Sequence, residues 1–340
     1  MQLKSAQALI DRVAQYISDP KSDSFEEIAL DLFSFQFSKN VPYQKYCQAL
    51  GKTPDHIAQW QEIPAVPTHS FKHSQFPLRC LPESSVTFLT SGTTSESKGV
   101  HYFPTTSLYE LSITQGWQDA KLPHLSPLFL APSPRENPNS SLSYMFGHLA
   151  KGANSPFLLC DQKFQLAALF EKIREGGPFF LMGTALAFLH LTEIHRPLSL
   201  PKGSLILETG GYKGTHRELS KGDFYQQLSE FFDLPTTQIY NEYGMTELSS
   251  QAYALGPNGN HRFPPWCTLQ VIDPESGLPL PPGEIGYLQL LDLANVFSVA
   301  SIRTQDFAIH HANGTFSLIG RDPGALPRGC SRTIDHAFSS

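Results

Sequence analysis

Between residues 86 and 250, short β-prone runs alternate with helical patterns, and most β runs empty into loops of glycine and hydroxyl residues. This alternation is the strongest constraint on the fold. Strands that alternate with helices pack as an α/β structure around a mostly parallel sheet. VTFLT at 86–90 and GVHYFP from Gly99 read as β runs on either side of a polar loop. LSPLFLAPSP reads as a buried strand followed by a breaker-rich loop through Ser143. KFQLAALFEKIREGG reads as a helix with a glycine stop. GPFFLMGTALAFLHLTEI pairs a strand with a helix, SLILETGGYKG is a strand entering glycines, and DFYQQLSEFFDL is a helix. TTQIYNEYGMTE is a strand and loop.

The flanks differ. Leu3, Ala6, Ile10, Val13 and Ile17 recur at helical spacing, which predicts an amphipathic helix over 3–18. Ser24, with Glu26 and Glu27 behind it, predicts an N-capped helix over 24–38. A short helix ends before Gly51, residues 60–82 read as an extended approach, and 105–118 as a helix. Beyond about 260 the pattern is β-like with Pro/Gly turns, and Asn313-Gly314 marks a hairpin. The expected division is an α/β core over 1–261 and a small β-rich subdomain over 262–340.

Composition narrows the function. The chain has 340 residues, 40% hydrophobic and 16% charged, too apolar for a disordered chain. No apolar run is long enough for a transmembrane helix. Twenty-five basic against 31 acidic residues, a formal −6, give no support for nucleic-acid binding. The N-terminus lacks a small-residue cleavage site, so a mature cytoplasmic chain is expected. The five cysteines, Cys47, Cys80, Cys160, Cys267 and Cys330, are widely spaced, which argues against a disulfide framework or a zinc site. Cys47, Cys160 and Cys267 sit beside apolar or aromatic residues and read as structural.

Four segments carry chemistry. Thr90-Ser91-Gly92-Thr93-Thr94-Ser95-Glu96-Ser97-Lys98-Gly99 meets the needs of a polyphosphate loop, with glycine for close backbone approach, hydroxyl donors and a lysine. The Walker A order is absent. Glu208 to Gly214 places Gly210 and Gly211 at a strand end, where open α/β sheets bind ligands. Tyr240 to Glu247 gathers aromatic platforms, a hydroxyl and carboxylates suited to a base and to Mg²⁺. Asp306, and Arg321 after Gly320, offer a ribose acceptor and a phosphate fork. Taken singly, each segment also fits a solvated turn or a surface charge.

Their order resembles the adenylate-forming superfamily of acyl-CoA synthetases and adenylation domains. TSGTTSESKG is similar to its phosphate loop, with Ser95 in place of a glycine, and YGMTE at 243–247 is similar to its YGxTE motif. SSLSYMFGH at 140–148, ETGGYKG, NEYGMTELSSQAY and the near-terminal RGCS resemble more narrowly the acyl-protein synthetases of bacterial bioluminescence, the LuxE family. The resemblance implies a large adenylate-forming N-terminal-type domain with a small β-rich subdomain, and no full C-terminal lysine domain.

It also implies ATP and Mg²⁺ as cofactors and a carboxylic, fatty-type acid as substrate. The acid is converted to an acyl adenylate and passed to a cysteine as a thioester, with an acyl-accepting reductase or carrier as a possible partner. Lys98, Thr90, Ser91, Gly92, Thr93 and Thr94 are expected on the phosphates, with Thr246 donating to the α-phosphate and Glu247 on Mg²⁺. Tyr243 with Gly210 and Gly211 is expected around adenine, Asp306 on ribose, and Arg321 between ribose and phosphate. Cys330, between Arg328 and Arg332, is the expected acyl-bearing thiol; an inert hinge cysteine is the alternative. FFLMGTALAFLHL at 179–191 is either an acyl-pocket wall or core packing, and His101 and His148 either touch the carboxylate or are structural. The competing functions are a ligase acting on coenzyme A or a carrier protein through the same adenylate, and a non-catalytic binding module on the same fold.

Overall fold

The computed structural model describes residues 2–72, 86–90, 98–151, 157–161, 163–211 and 219–322. Of the expected site residues, Ser91, Gly92, Thr93, Thr94 and Cys330 lie outside these ranges. The chain divides into two compact units. The first holds residues up to 121, 245–252, and 261 onward to the last described residue. The second holds 122–244 and 253–260.

The first unit opens with α1 (Gln2–Ser18), α2 (Phe25–Lys39) and α3 (Val41–Ala49). Each start has a local cause. The Ser24 hydroxyl accepts from Glu27 N at 3.4 Å and caps α2. Asn40 accepts from Tyr43 N at 3.2 Å and caps α3, where Pro42 has no donor to waste. Arg12 on α1 reaches Asp23 at 2.5 Å and also pairs with Asp31 of α2. Residues 60–72, expected as extended, contain single helical turns at Trp60–Glu62 and Thr68–Lys72 around β1 (Val66–Pro67). Next come β2 (Val86–Leu89), β3 (Val100–Phe103) and α4 (Ser107–Asp119). β2 and β3 form an antiparallel pair.

In the second unit, β4 (Ser126–Pro132) precedes α5 (Ser141–Leu149), β5 (Phe157–Cys160), β6 (Lys163–Phe164) and α6 (Ala167–Glu175). β7 (Phe179–Thr184), α7 (Ala185–Ile194), β8 (Leu205–Thr209), α8 (Lys221–Phe232), β9 (Ile239–Tyr243) and β10 (Ala252–Leu255) follow. Among the described residues the sheet runs β10-β9-β8-β7-β4-β5-β6. Its β9-β8, β8-β7, β7-β4 and β4-β5 pairs are parallel, and β5-β6 is antiparallel. The mostly parallel α/β sheet expected from the alternation is present.

Two local expectations change. The loop does not run through Ser143: Ser140 accepts from Ser143 N at 3.1 Å and starts α5 inside the hydroxyl-rich stretch. Lys163 and Phe164 pair with Cys160 and Leu159 as a strand, so the helix begins only at Ala167. It stops where Gly176 takes φ +73°, as its glycines suggest.

The core of this unit gathers Leu128, Leu130, Phe179, Leu181, Phe188, Phe224, Leu228 and Phe232. Each fully buried side chain of this size contributes about 1.5–3 kcal/mol. Segment 179–191 belongs to that core rather than to an open wall. A Cβ on Gly183 would lie 2.8 Å from Leu130 Cβ and 3.0 Å from Leu130 O, so this glycine leaves no free space.

The chain re-enters the first unit at His261, at the edge of the expected 262–340 region. There β11 (Cys267–Ile272), β12 (Ile285–Asp292), β13 (Ser301–His310) and β14 (Phe316–Arg321) form an antiparallel meander, with β1 added parallel to β13. Asn313-Gly314 lies in the turn between β13 and β14, with Gly314 at φ +79°. No helix among the described residues is long and apolar enough to cross a membrane.

Candidate active site

In the first unit, the ends of the hydroxyl-rich loop meet at a closed neck. Leu89 pairs with Val100, and one step beyond, Thr90 N donates to Gly99 O at 2.8 Å. Gly99 N donates to Thr90 Oγ1 at 2.7 Å. The Thr90 hydroxyl is therefore already an acceptor at the neck, and Thr90 is buried. A Cβ on Gly99 would sit 2.7 Å from Thr90 Oγ1 and 3.1 Å from the Phe71 backbone carbon, so only glycine fits. Lys98, one residue inside the neck, is exposed.

His101, two residues beyond the neck, is 1% exposed. Its Nδ1 lies 2.6 Å from Thr246 O. A carbonyl only accepts, so Nδ1 carries the proton and donates. Burial drives the His101 pKa down to about 4, against a smaller upward pull from the Thr246 bond. The ring is neutral at ordinary pH and sits 4.3 Å from the Phe103 ring. Of the two readings for His101, the geometry supports the structural one, because its ring is committed to the backbone of Thr246.

Thr246 and Glu247 are half-buried. Asn295 Nδ2 donates to Glu247 O at 2.7 Å. Ser249 Oγ donates to Asn295 Oδ1 at 2.5 Å, and Ser249 N donates to Asp292 Oδ2 at 2.9 Å. Asp292 also accepts from Ser250 Oγ at 2.8 Å and Ala294 N at 3.0 Å. Burial pushes its pKa up to about 6, with these hydrogen bonds opposing the rise. From α2, Gln36 Nε2 donates to Asn295 O at 2.7 Å, and Gln36 Oε1 accepts from Ala300 N at 2.9 Å. A buried polar network thus holds the Glu247 carbonyl, while His101 holds that of Thr246.

Asp306 on β13 is opposite Arg321 on β14, with Nε to Oδ1 at 4.0 Å. Asp306 is 6% exposed and Arg321 half-buried. The structure therefore links Thr90 and Gly99 at the neck, joins the strand beyond it to the Thr246-Glu247 turn through His101, and separately pairs Asp306 with Arg321, all within the first unit.

In the second unit, Gly210 and Gly211 leave the C-terminal end of β8, and both are exposed. Gly210 takes φ +75°, a conformation that an L side chain rarely adopts. Tyr243 ends the neighbouring β9 and is buried. The register pairs Thr209 with Glu242 and Glu208 with Asn241. Thr209 Oγ1 donates to buried Glu242.

Glu208, 3% exposed, accepts from Tyr225 OH at 2.9 Å and from Asn241 Nδ2 at 2.6 Å. Burial raises its pKa to about 7, with Lys221 pulling the other way. Burial lowers the Lys221 pKa, and Glu208 opposes that shift. The sequence reading missed Tyr225, Asn295, Asp292 and Gln36. Asp292 and Asn295 did carry a signal, as polar residues inside the apolar run LLDLANVF.

Cys47 and Cys267 are buried, as expected of structural thiols. Burial pushes Cys47 up to about 12, which keeps it protonated and inert. Cys160 differs from the expectation, because it is exposed at the end of β5.

The family described as AMP-binding enzyme matches residues 41–291. The long-chain-fatty-acid–luciferin-component ligase of Aliivibrio fischeri is 22% identical over 322 residues, covering 86% of this chain and 83% of that protein. Its namesake from Vibrio harveyi is also 22% identical, covering 91% of this chain and 86% of that protein. The fold is similar to the crystal structure of ATP-bound MatB from Rhodopseudomonas palustris, with a TM-score of 0.50, 20% identity and 69% of this chain covered. The chain spans 47% of the length of that protein. With well over half of its residues inside the family match, the chain belongs to the AMP-binding enzyme family.

Proposed function

We propose that this protein activates a carboxylic acid with ATP. A carboxylate oxygen attacks the α-phosphorus, the bond to the bridging oxygen breaks, and an acyl adenylate and pyrophosphate result. The reading is supported most by one arrangement: the neck of the hydroxyl-rich loop is tied through His101 to the Thr246-Glu247 turn.

The residues present fit the ligands. At Gly99 the backbone is packed too closely for a side chain, and Lys98 beside it is exposed. An ammonium there neutralises phosphate oxygens, and in a water-poor site such preorganised charge accounts for much of the rate gain. Ser91, Gly92, Thr93 and Thr94 add hydroxyls and N–H groups to the same loop. Thr246 donates to the α-phosphate. Glu247 supplies a hard oxygen ligand of the kind Mg²⁺ takes alongside phosphates. Mg²⁺, when bound, screens phosphate charge. Asp306 accepts the ribose hydroxyls, and Arg321 bridges ribose and phosphate.

The acid is of the long-chain fatty class named for the two bacterial relatives. The adenylate is then attacked by a thiolate at its carbonyl carbon, so a thioester forms and AMP leaves. Cys330 is one acceptor. A second reading gives coenzyme A or a carrier phosphopantetheine that role, and one observation favours it. The family match covers residues 41–291 and does not include Cys330. Mass spectrometry after incubation with ATP, Mg²⁺, coenzyme A and a panel of acids tests the proposal. Acyl adenylate is expected in every case. An acyl mass on Cys330 selects the first acceptor. Acyl-CoA formed equally well by Cys330→Ser selects the second. A panel yielding neither adenylate nor thioester overturns the proposal.

A further inference from the structure

Two consecutive carbonyls, those of Thr246 and Glu247, each accept a hydrogen bond from a buried side chain of a different element. His101 of β3 donates to the first at 2.6 Å, and Asn295, in the loop after β12, donates to the second at 2.7 Å. Fixing both carbonyl directions fixes the peptide planes on either side of Glu247, and hence the direction in which its side chain leaves the backbone; for Thr246 it fixes the plane on the C-terminal side. We propose that His101 and Asn295 are positioning residues that hold Thr246 and Glu247 in the geometry needed for adenylate formation. This rests on the acid-activation reading above.

Three features support a positioning role over simple packing. His101 Nδ1 donates to Thr246 O, and the ring packs against Phe103, at 4.3 Å, and Phe71, at 6.1 Å between centroids. The ring is neutral, so its bond adds direction without adding charge. Asn295 is itself fixed by Ser249, and its own carbonyl is held by Gln36. The support is therefore two residues deep, which is what precise positioning of a reactive group requires.

The test compares wild type, His101→Phe and His101→Asn. Phenylalanine keeps the aromatic packing and removes the donor. Asparagine places Nδ2 one bond beyond Cγ, where histidine has Nδ1, and restores the donor. Two readouts are taken: acid-dependent exchange of pyrophosphate into ATP as a function of ATP and Mg²⁺, and hydrogen exchange of backbone amides in peptides covering 245–252.

His101→Phe should lower kcat about 10- to 100-fold, the scale of an ångström-sized misplacement. The KM for ATP should change by less than about threefold, since the contacts of Thr246 and Glu247 that weaken are those made in the transition state. The Mg²⁺ concentration for half-maximal rate should rise, amides in 245–252 should exchange faster, and His101→Asn should recover both readouts. Wild-type kcat and Mg²⁺ dependence in a folded His101→Phe overturn the proposal. So does a loss of rate with unchanged hydrogen exchange. If wild type exchanges no pyrophosphate with any acid, the activation reading has failed, and hydrogen exchange alone decides: faster exchange in His101→Phe supports the clamp and unchanged exchange overturns it.

Discussion

Asn241 Nδ2 donates to Glu208 Oε1 at 2.6 Å across the paired strands β9 and β8, and so ties the strand end that leads into Gly210 to the one that leads into Tyr243. The carboxyl it holds is buried, and burial raises its pKa from 4.5 to about 7. The unfolded chain loses this proton near 4.5, while the folded chain keeps it until about 7. Glu208 therefore contributes its full stability below about 4.5, and the contribution is lost as pH rises through 7. Urea unfolding of wild type and Glu208→Gln from pH 4.5 to 8 checks this. The wild-type free energy should fall relative to the variant by up to about 1.4 kcal/mol per pH unit inside that window. Parallel curves would contradict it.

Gln36 offers a test of the polar network in the first unit. Its amide serves Asn295 O, Val296 O and Ala300 N. Gln36→Leu fills a similar volume and leaves those backbone groups buried without this partner. Leaving a buried polar group unsatisfied costs about 1–3 kcal/mol, so a total loss near 3 kcal/mol is expected in chemical denaturation. A change below about 0.5 kcal/mol, the scale of an ordinary surface substitution, would contradict the account.

The two glycine sites should respond differently. Alanine at Gly99 meets Thr90 Oγ1 at 2.7 Å and backbone at 3.1 Å, so the neck must open. A cost of about 1–3 kcal/mol is expected from overpacking, with loss of pyrophosphate exchange. Alanine at Gly210 meets nothing within 4 Å and is opposed only by φ +75°. Its cost should be about 1–2 kcal/mol, the penalty for a left-handed L residue. Thermal melts and exchange rates of both variants separate the cases; equal loss of exchange with no loss of stability at Gly99 would contradict the packing argument.

The alternation of strands and glycine-rich loops made the parallel sheet legible, because each β run ends where the chain must turn. Ser24 and Gly176 were legible for the same local reason: caps act within a few residues. The surroundings of Glu208, Glu242 and Asn241 were not. Strands buried on both faces lack the apolar-polar alternation that tells inward from outward, so Glu242 also fits a surface charge when read alone. The links from His101 to Thr246 and from Asn295 to Glu247 join residues 145 and 48 positions apart. No local pattern encodes a bond to a distant backbone carbonyl. Cys160 misled because apolar neighbours in sequence indicate burial only inside a two-sided strand, and this residue ends one.

The central claim is acid activation through an adenylate. Its most direct measurement is exchange of labelled pyrophosphate into ATP by wild type and Lys98→Ala, with Mg²⁺, across fatty acids of increasing chain length. The account expects exchange that depends on the acid and on Mg²⁺, and that falls on the order of 100-fold or more in Lys98→Ala, the scale of losing one preorganised charge contact. Exchange that is absent from wild type with every acid, or equal in Lys98→Ala, would contradict it.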